Sequence, residues 1–372
     1  MLCMILVSCT GQKTGKENDN NDKIAIEVGE IKFPPQDVLQ LKSYYLSSSV
    51  HVDSIDYLIG YNYRLHSLDC MNLKSKSVTQ IVLPGDGPDA IVRLSGIYAQ
   101  SLDSVWISDE SERAFLIDSV GTIKRMIDLK KYLEDQEQLL INTNYAMFTS
   151  HLFYNASRHS LMFLVKHTPS NTFIVKEVFI DEVGKMATYQ LSSSKVVPDM
   201  SKGYAYINFP NVNFVGENIV YNYPVESSIY MLDIRTNERK YILADSHYTS
   251  NIIEKCTTSG DYATLEKHWL ENSHFYDIMY LPKYKIYARL HADKVDFDEK
   301  KGMEKLINER DLYLMLFDEN MEKIGETKLS NCRYSPFTSW NATYGGIALF
   351  VDNVLDEKNN TDDLTIDIIL SL

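Results

Sequence analysis

Residues 103–129 read DSVWISDESERAFLIDSVGTIKRMIDL. Apolar and polar residues alternate through Ser104-Val105-Trp106-Ile107-Ser108, the period of a half-buried strand. Asp109 to Glu112 is polar and turns the chain. Ala114-Phe115-Leu116-Ile117 is a second strand that exits on Asp118, and Gly121 permits the positive φ of a tight turn. Ile123 to Leu129 is a third. Three antiparallel strands in 27 residues cannot bury both faces alone, so the unit must stack on others like it.

The order recurs. Residues 216–243 (GENIVYNYPVESSIYMLDIRTNERKYIL) repeat it with Asp233 at the exit of the middle strand. Residues 54–83 repeat it with Asp69 in that place. Residues 310–329 supply the last two strands of a further copy, with Asp318, and a less regular copy runs from Met147 to Gln190, with Asp181. The last copy begins near Ser339-Trp340 and stops at Ile366-Asp367-Ile368. Six copies over residues 23–372 give about 58 residues each. A compact propeller blade takes roughly 40–45, so insertions are required. Leu129–Leu140 has helical spacing, and Glu254–Phe275 and Asp298–Arg310 are polar excursions of helix or loop character. The expected fold is all-β, a six-bladed propeller with short helical insertions. The last copy lacks an outer strand, and Ile24–Phe33 is a strand without a copy. Pairing Ile24–Phe33 with Leu364–Leu372 would close the ring and leave no open edge. The alternative is a sandwich in which these are unrelated edge strands.

Composition agrees. The chain has 372 residues, with Tyr 25 and Phe 14, types that favour pleated half-buried surfaces. Lys plus Arg is 37 against 51 for Asp plus Glu, a formal net charge of −14. So acidic a body does not bind nucleic acid in general, because phosphate contacts need clustered cations. Five cysteines are too few for a disulfide scaffold. Cys70, Cys256 and Cys332 read as buried or half-buried thiols.

Residues 103–121, together with the Gly85-Asp86-Gly87-Pro88 turn, resemble the NHL-like blades of six-bladed propellers. At the N-terminus, Leu6-Val7-Ser8-Cys9 resembles the lipobox of bacterial lipoproteins, although no Lys or Arg precedes the apolar run. In such proteins residues 1–8 would be a signal peptide and Cys9 the lipidated residue. Residues 9–22, polar and without an apolar stretch, would then be a flexible tether to the domain at 23–372. The combination resembles the Bacteroidetes six-bladed propeller lipoproteins of the DUF4221-like group. That resemblance implies the fold and a lipid-anchored setting in the bacterial cell envelope, at the outer membrane, but no catalytic residues. An acidic body repels an anionic bilayer, so membrane contact is expected through the acyl chains alone.

Motif searches exclude several chemistries. The chain has no Walker A loop, no G-x-G-x-x-G, no H-E-x-x-H, no G-x-S-x-G and no C-x-x-C. His151, His159 and His167 lie eight apart, which is not a ligand spacing. Asp109, Asn208, Asn213 and Asn222 sit near strand ends, where oxygen ligands could hold Ca²⁺ in an axial channel; turn capping is the competing reading. Aromatics give the strongest binding signal: Trp106, Tyr204, Tyr206, Tyr221, Tyr223, Trp269 and Trp340 are candidates for a mouth or groove. Packing between blades is the alternative for each. Arg93 and Arg113 could add charge-assisted contacts to an anion. The candidate ligand-binding set is Trp106, Asp109, Arg113, Tyr221, Asn222 and Trp340. The expected function is a binding or scaffold module for a glycan, peptide or protein partner, without a required cofactor. The alternative is a hydrolase with a metal or carboxylate site in the channel.

Overall fold

The structure, a computed structural model, describes residues 26–35, 41–141, 148–197, 203–204, 207–256, 261–336, 340–359 and 362–371. The signal-peptide and tether segments, with Cys9, lie outside the described residues, as does Tyr206. The first strand, β1 (Ile26–Phe33), belongs to the last sheet. Blade 1 is β2–β5 (Ser47–Val52, Ile55–Asn62, Ser67–Asn72, Val78–Val82). Blade 2 is β6–β9 (Leu94–Ser101, Ser104–Asp109, Arg113–Ile117, Ile123–Asp128). Blade 3 is β10–β14 (Glu137–Leu139, Phe153–Asn155, Ser160–His167, Thr172–Phe179, Met186–Gln190); β10 and β11 both pair with β12. Blade 4 is β15–β18 (Asn211–Val215, Asn218–Asn222, Ile229–Asp233, Arg239–Ile242). Blade 5 is β19–β22 (His274–Leu281, Ile286–Ala292, Leu312–Phe317, Lys323–Lys328). Blade 6 is β23–β25 (Trp340–Ala342, Ile347–Phe350, Leu364–Ser371) with β1 on its outside. Six antiparallel sheets in chain order form the expected propeller.

The copies at 54–83, 103–129 and 216–243 hold the outer three strands of blades 1, 2 and 4, 310–329 holds the last two of blade 5, and the copies in blades 3 and 6 reach back to the innermost strands. The innermost strands β2, β6, β15 and β19 lie upstream of the repeated pattern, which explains the apparent excess length. Turns between first and second strands are short: residues 53–54, 102–103 and 216–217. The long connections leave the opposite face, because blades alternate direction strand by strand. There α1 (Tyr262–Leu270) precedes blade 5 and α2 (Met303–Asn308) interrupts it, both inside the expected excursions. Leu129–Leu140 is not a helix. It forms one 3₁₀ turn, Leu129–Tyr132, and then β10, because its apolar residues pack into the seam between blades 2 and 3.

The Asp turns are built as expected in three blades. Asp118 Oδ1 accepts from the N–H groups of Val120 and Thr122, Asp233 Oδ1 from Arg235 and Thr236, and Asp318 Oδ1 from Asn320 and Glu322. In blade 1 the residue in that role is Asn72, whose Oδ1 accepts from Lys74 and Ser75. Asp69, aligned there by sequence, is instead buried in mid-strand and accepts from Tyr44 Oη at 2.6 Å, Asn62 Nδ2 at 2.9 Å and Gln80 Nε2 at 2.9 Å. Asp181 pairs with Arg125 at 3.1 Å.

Closure is made by β1. It runs antiparallel to β25 in eight pairs, from Ile26 opposite Ser371 to Phe33 opposite Leu364. A charge clamp fixes this seam from the preceding connection. Arg333 donates Nε to Asp367 Oδ2 and Nη2 to Asp367 Oδ1 at 2.9 Å and to Glu30 Oε2 at 2.9 Å. Tyr334 Oη donates to the same carboxylate at 2.7 Å. Asp367 is fully buried, so it needs these donors; Glu30 is half-exposed. Arg333→Met is expected to lower the unfolding free energy by about 3–5 kcal/mol in urea melts, because it strands a buried carboxylate. Glu30→Gln should cost no more than about 1 kcal/mol. Equal, small effects would contradict the clamp.

A second buried pair lies within blade 5, between β20 and β22, and is tied to the connection leaving blade 4 through Ser246 and His247. His291 Nε2 lies 2.8 Å from Glu326 Oε1, both side chains fully buried. Burial would raise the Glu326 pKa, but His291, the Ser246 hydroxyl and the His247 N–H outweigh it and hold the carboxyl at about 2. Burial also pushes His291 below its ordinary 6.5. In the unfolded chain both groups bind protons at higher pH than in the fold. Stability is therefore full above the ordinary His range and falls as pH drops, most steeply from about 4.5 toward about 2. The carboxylate contributes about 2–3 kcal/mol of this slope. Acid titration of unfolding free energy should show that slope in the native chain and a shallower one in Glu326→Gln; identical slopes would refute the assignment.

Candidate functional site

Side chains alternate across a strand, so an innermost strand sends successive residues toward its two neighbouring blades and turns its inner edge to the propeller axis. Six such strands enclose an axial cavity of about 370 Å³, within the range of small-ligand sites. Its wall takes Ser47, Ser48 and Ser49 from β2, Tyr98 from β6, and Asn213 and Phe214 from β15. Asp277 and Tyr280 come from β19, and Trp340 and Asn341 from β23. His151 and Phe153 complete it beside and within β11. All innermost strands run the same way. Gly216 and Pro282, at the ends of their strands, therefore place one end of the cavity at the short-hairpin face.

Asp277 organises this wall. Its carboxylate is nearly inaccessible, and Trp340 Nε1 donates to Oδ1 at 2.8 Å. His151 Nε2 lies 3.1 Å from Oδ2. The imidazole is 23% exposed, and among the described residues no protein group bonds its Nδ1. A buried carboxylate that fixes one ring nitrogen sets the tautomer and leaves the other to face a ligand. Nearby, Asn341 Nδ2 donates to Ser47 Oγ at 2.6 Å, Ser49 Oγ to the Ala342 carbonyl at 2.6 Å, and Ala99 N–H to Ser48 Oγ at 3.0 Å. Asn213 Nδ2 donates to the Ile278 carbonyl at 2.9 Å. The wall is thus held by bonds between neighbouring blades.

A family model described as "Domain of unknown function (DUF4221)" matches residues 17–328. The chain belongs to the DUF4221 family. Among solved structures, a DUF4221 member from Bacteroides vulgatus ATCC 8482 superposes with a TM-score of 0.74 at 14% identity, covering 94% of this chain and 98% of that one. A protein of Bacteroides fragilis NCTC 9343, described as a candidate exported protein, gives 0.54 at 14% identity, covering 96% and 98%. No curated protein matches. Among the described residues no helix is long and apolar enough to cross a membrane.

In this DUF4221 propeller, one member of the sequence-derived binding set, Trp340, lines the cavity. Trp106 is buried in the seam of blades 2 and 3, stacked on Tyr154 at 5.7 Å. Asp109 is buried on β7, where it accepts from Arg113 Nη2 at 2.7 Å and from the turn N–H groups of Ser111 and Arg113. Arg113 also donates to the Ala90 carbonyl and lies over Phe115. Tyr221 is buried in blade 4, accepts from the Ser192 N–H and stacks on Tyr230. Asn222 donates Nδ2 to the Phe275 carbonyl. Tyr204, Tyr223 and Trp269 are core residues, and Arg93 pairs with Glu110 on the surface. Of the four oxygen-ligand candidates, Asn213 alone lines the cavity. Among the described residues no three His, Cys, Asp or Glu gather as a metal site. Cys70 is a buried thiol, and Cys256 and Cys332 are half-buried.

Sequence reading did not find the Asp277–His151 pair. The two residues are 126 apart; Asp277 sits on an inner strand upstream of its copy, and His151 just before the inner strand of the least regular copy. The available signal was positional: the strand just upstream of each first short turn faces the axis.

Proposed function

We propose that this DUF4221 chain is a lipid-anchored protein of the bacterial cell envelope, at the outer membrane, and that its propeller binds a glycan, peptide or protein partner through the axial cavity. The observation that carries the reading is the Asp277–His151–Trp340 group at the cavity wall, in which Asp277 fixes His151 Nε2 and, among the described residues, no protein group bonds Nδ1. A concave space with a few fixed polar groups is how ligand sites are built. Leu6-Val7-Ser8-Cys9 supports the anchor, and the exported description of the B. fragilis neighbour supports the compartment.

The second reading, a hydrolase, rests on the same Asp277–His151 pair, since an oriented imidazole is a general base. Ser47, Ser48 and Ser49 are the nearby hydroxyls, and each is engaged in a bond that ties blades together. That arrangement favours binding over nucleophilic chemistry. Two variants test the proposal. Cys9→Ser should move the protein from the membrane to the soluble fraction on cell fractionation, and retention in the membrane would refute the anchor. His151→Ala should abolish capture of whichever partner an array and pull-down screen returns while circular dichroism still shows the folded chain, with thermal unfolding lowered because the buried Asp277 loses one partner; undiminished capture would place the site elsewhere.

A further inference from the structure

The cavity wall has two chemically different halves. Blades 2, 3 and 4 contribute an aromatic arc. Tyr98 meets Phe153 edge-on at 5.2 Å, and Phe153 stacks on Phe214 at 5.0 Å and 14°. Blades 5, 6 and 1 contribute the polar half: Asp277, Tyr280, Trp340, Asn341 and the β2 serines. No Lys or Arg appears among the described residues of the wall. Its one carboxylate is taken by His151 and Trp340.

The groups left for a ligand are neutral. Among the described residues the Tyr98 and Tyr280 hydroxyls, His151 Nδ1 and Asn341 Oδ1 make no hydrogen bond to protein. An anion would enter without a cation to meet it, against the field of a chain with net charge −14. A wholly apolar ligand would bury the polar half unpaired. What satisfies both halves is a molecule with an apolar C–H face and a rim of hydroxyls.

We propose that the axial cavity takes an uncharged saccharide, its C–H face on the Tyr98–Phe153–Phe214 arc and its hydroxyls on Tyr280, Asn341 and His151. This rests on the binding reading above and narrows it to one ligand class. Aromatic faces supply area to a sugar ring, and fixed hydrogen bonds supply the selection.

The test probes the purified full chain with an array of neutral oligosaccharides (glucose, galactose, mannose and N-acetylglucosamine oligomers). Uronate-, sulfate- and sialate-bearing counterparts are printed beside them, and a peptide library is screened in parallel. Binding should be confined to neutral probes. Tyr280→Phe should weaken it about tenfold with unchanged thermal unfolding, and Asn341→Ala should weaken it as much with the small loss of stability that its bond to Ser47 implies. Anionic probes that bind and are lost in the same variants would overturn the ligand class while keeping the cavity as a binding site. Peptides captured in place of glycans, and lost in His151→Ala, would do the same. Neutral probes indifferent to both substitutions would overturn the site. Silence across every probe class would remove the binding reading itself.

Discussion

A ring of sheets has one structural problem that a row of sheets does not: the last sheet must meet the first in register. Here the meeting is made inside blade 6, where β1 is added as the outermost strand beside β25. The eight-pair ladder joins residues at opposite ends of the chain. Arg333 ties both strands of that ladder to the connection leaving blade 5. Without the ladder, β25 would present an open edge and blade 6 would be held by its neighbours alone. The remaining five sheets are locally specified hairpins; the closing one is specified only by the whole circle.

The cavity follows from closure. Each innermost strand contributes two or three axial residues, and none of these groups means anything until the six strands surround one axis. Asp277 from blade 5 reaches Trp340 of blade 6 and His151 beside blade 3. Ser49 and Ser47 of blade 1 bond the inner strand of blade 6. The bonds that hold the wall are the ones that register the blades around the axis. The site is therefore stiff by construction, which lowers the ordering cost of binding.

The outer parts of the fold were legible because they obey local rules. Alternation marked the strands, and Asp118, Asp233 and Asp318 marked the turns through bonds two to four residues on. The missing partner of Leu364–Leu372 was legible from the count of strands. Blade 1 misled because Asn72 replaces Asp at the turn while Asp69 serves a buried network three residues earlier. Leu129–Leu140 misled because helical spacing over so short a span also suits a chain wedged between two sheets. The candidate site was mostly illegible. Trp340 was found from its residue type, whereas Trp106, Tyr221 and Tyr223 are the same kind of residue spent on packing between strands. Nothing local distinguishes an aromatic that faces the axis from one that faces the next blade.

Amide hydrogen exchange read by mass spectrometry puts closure to the most direct test. If β1 is an integral strand of blade 6, peptides covering 26–33 will exchange as slowly as the outermost strands 78–82 and 123–128 of blades 1 and 2, and 364–371 as slowly as the central strands of blade 2. Exchange of 26–33 at the rate of a surface loop, with the other blades still protected, would contradict it.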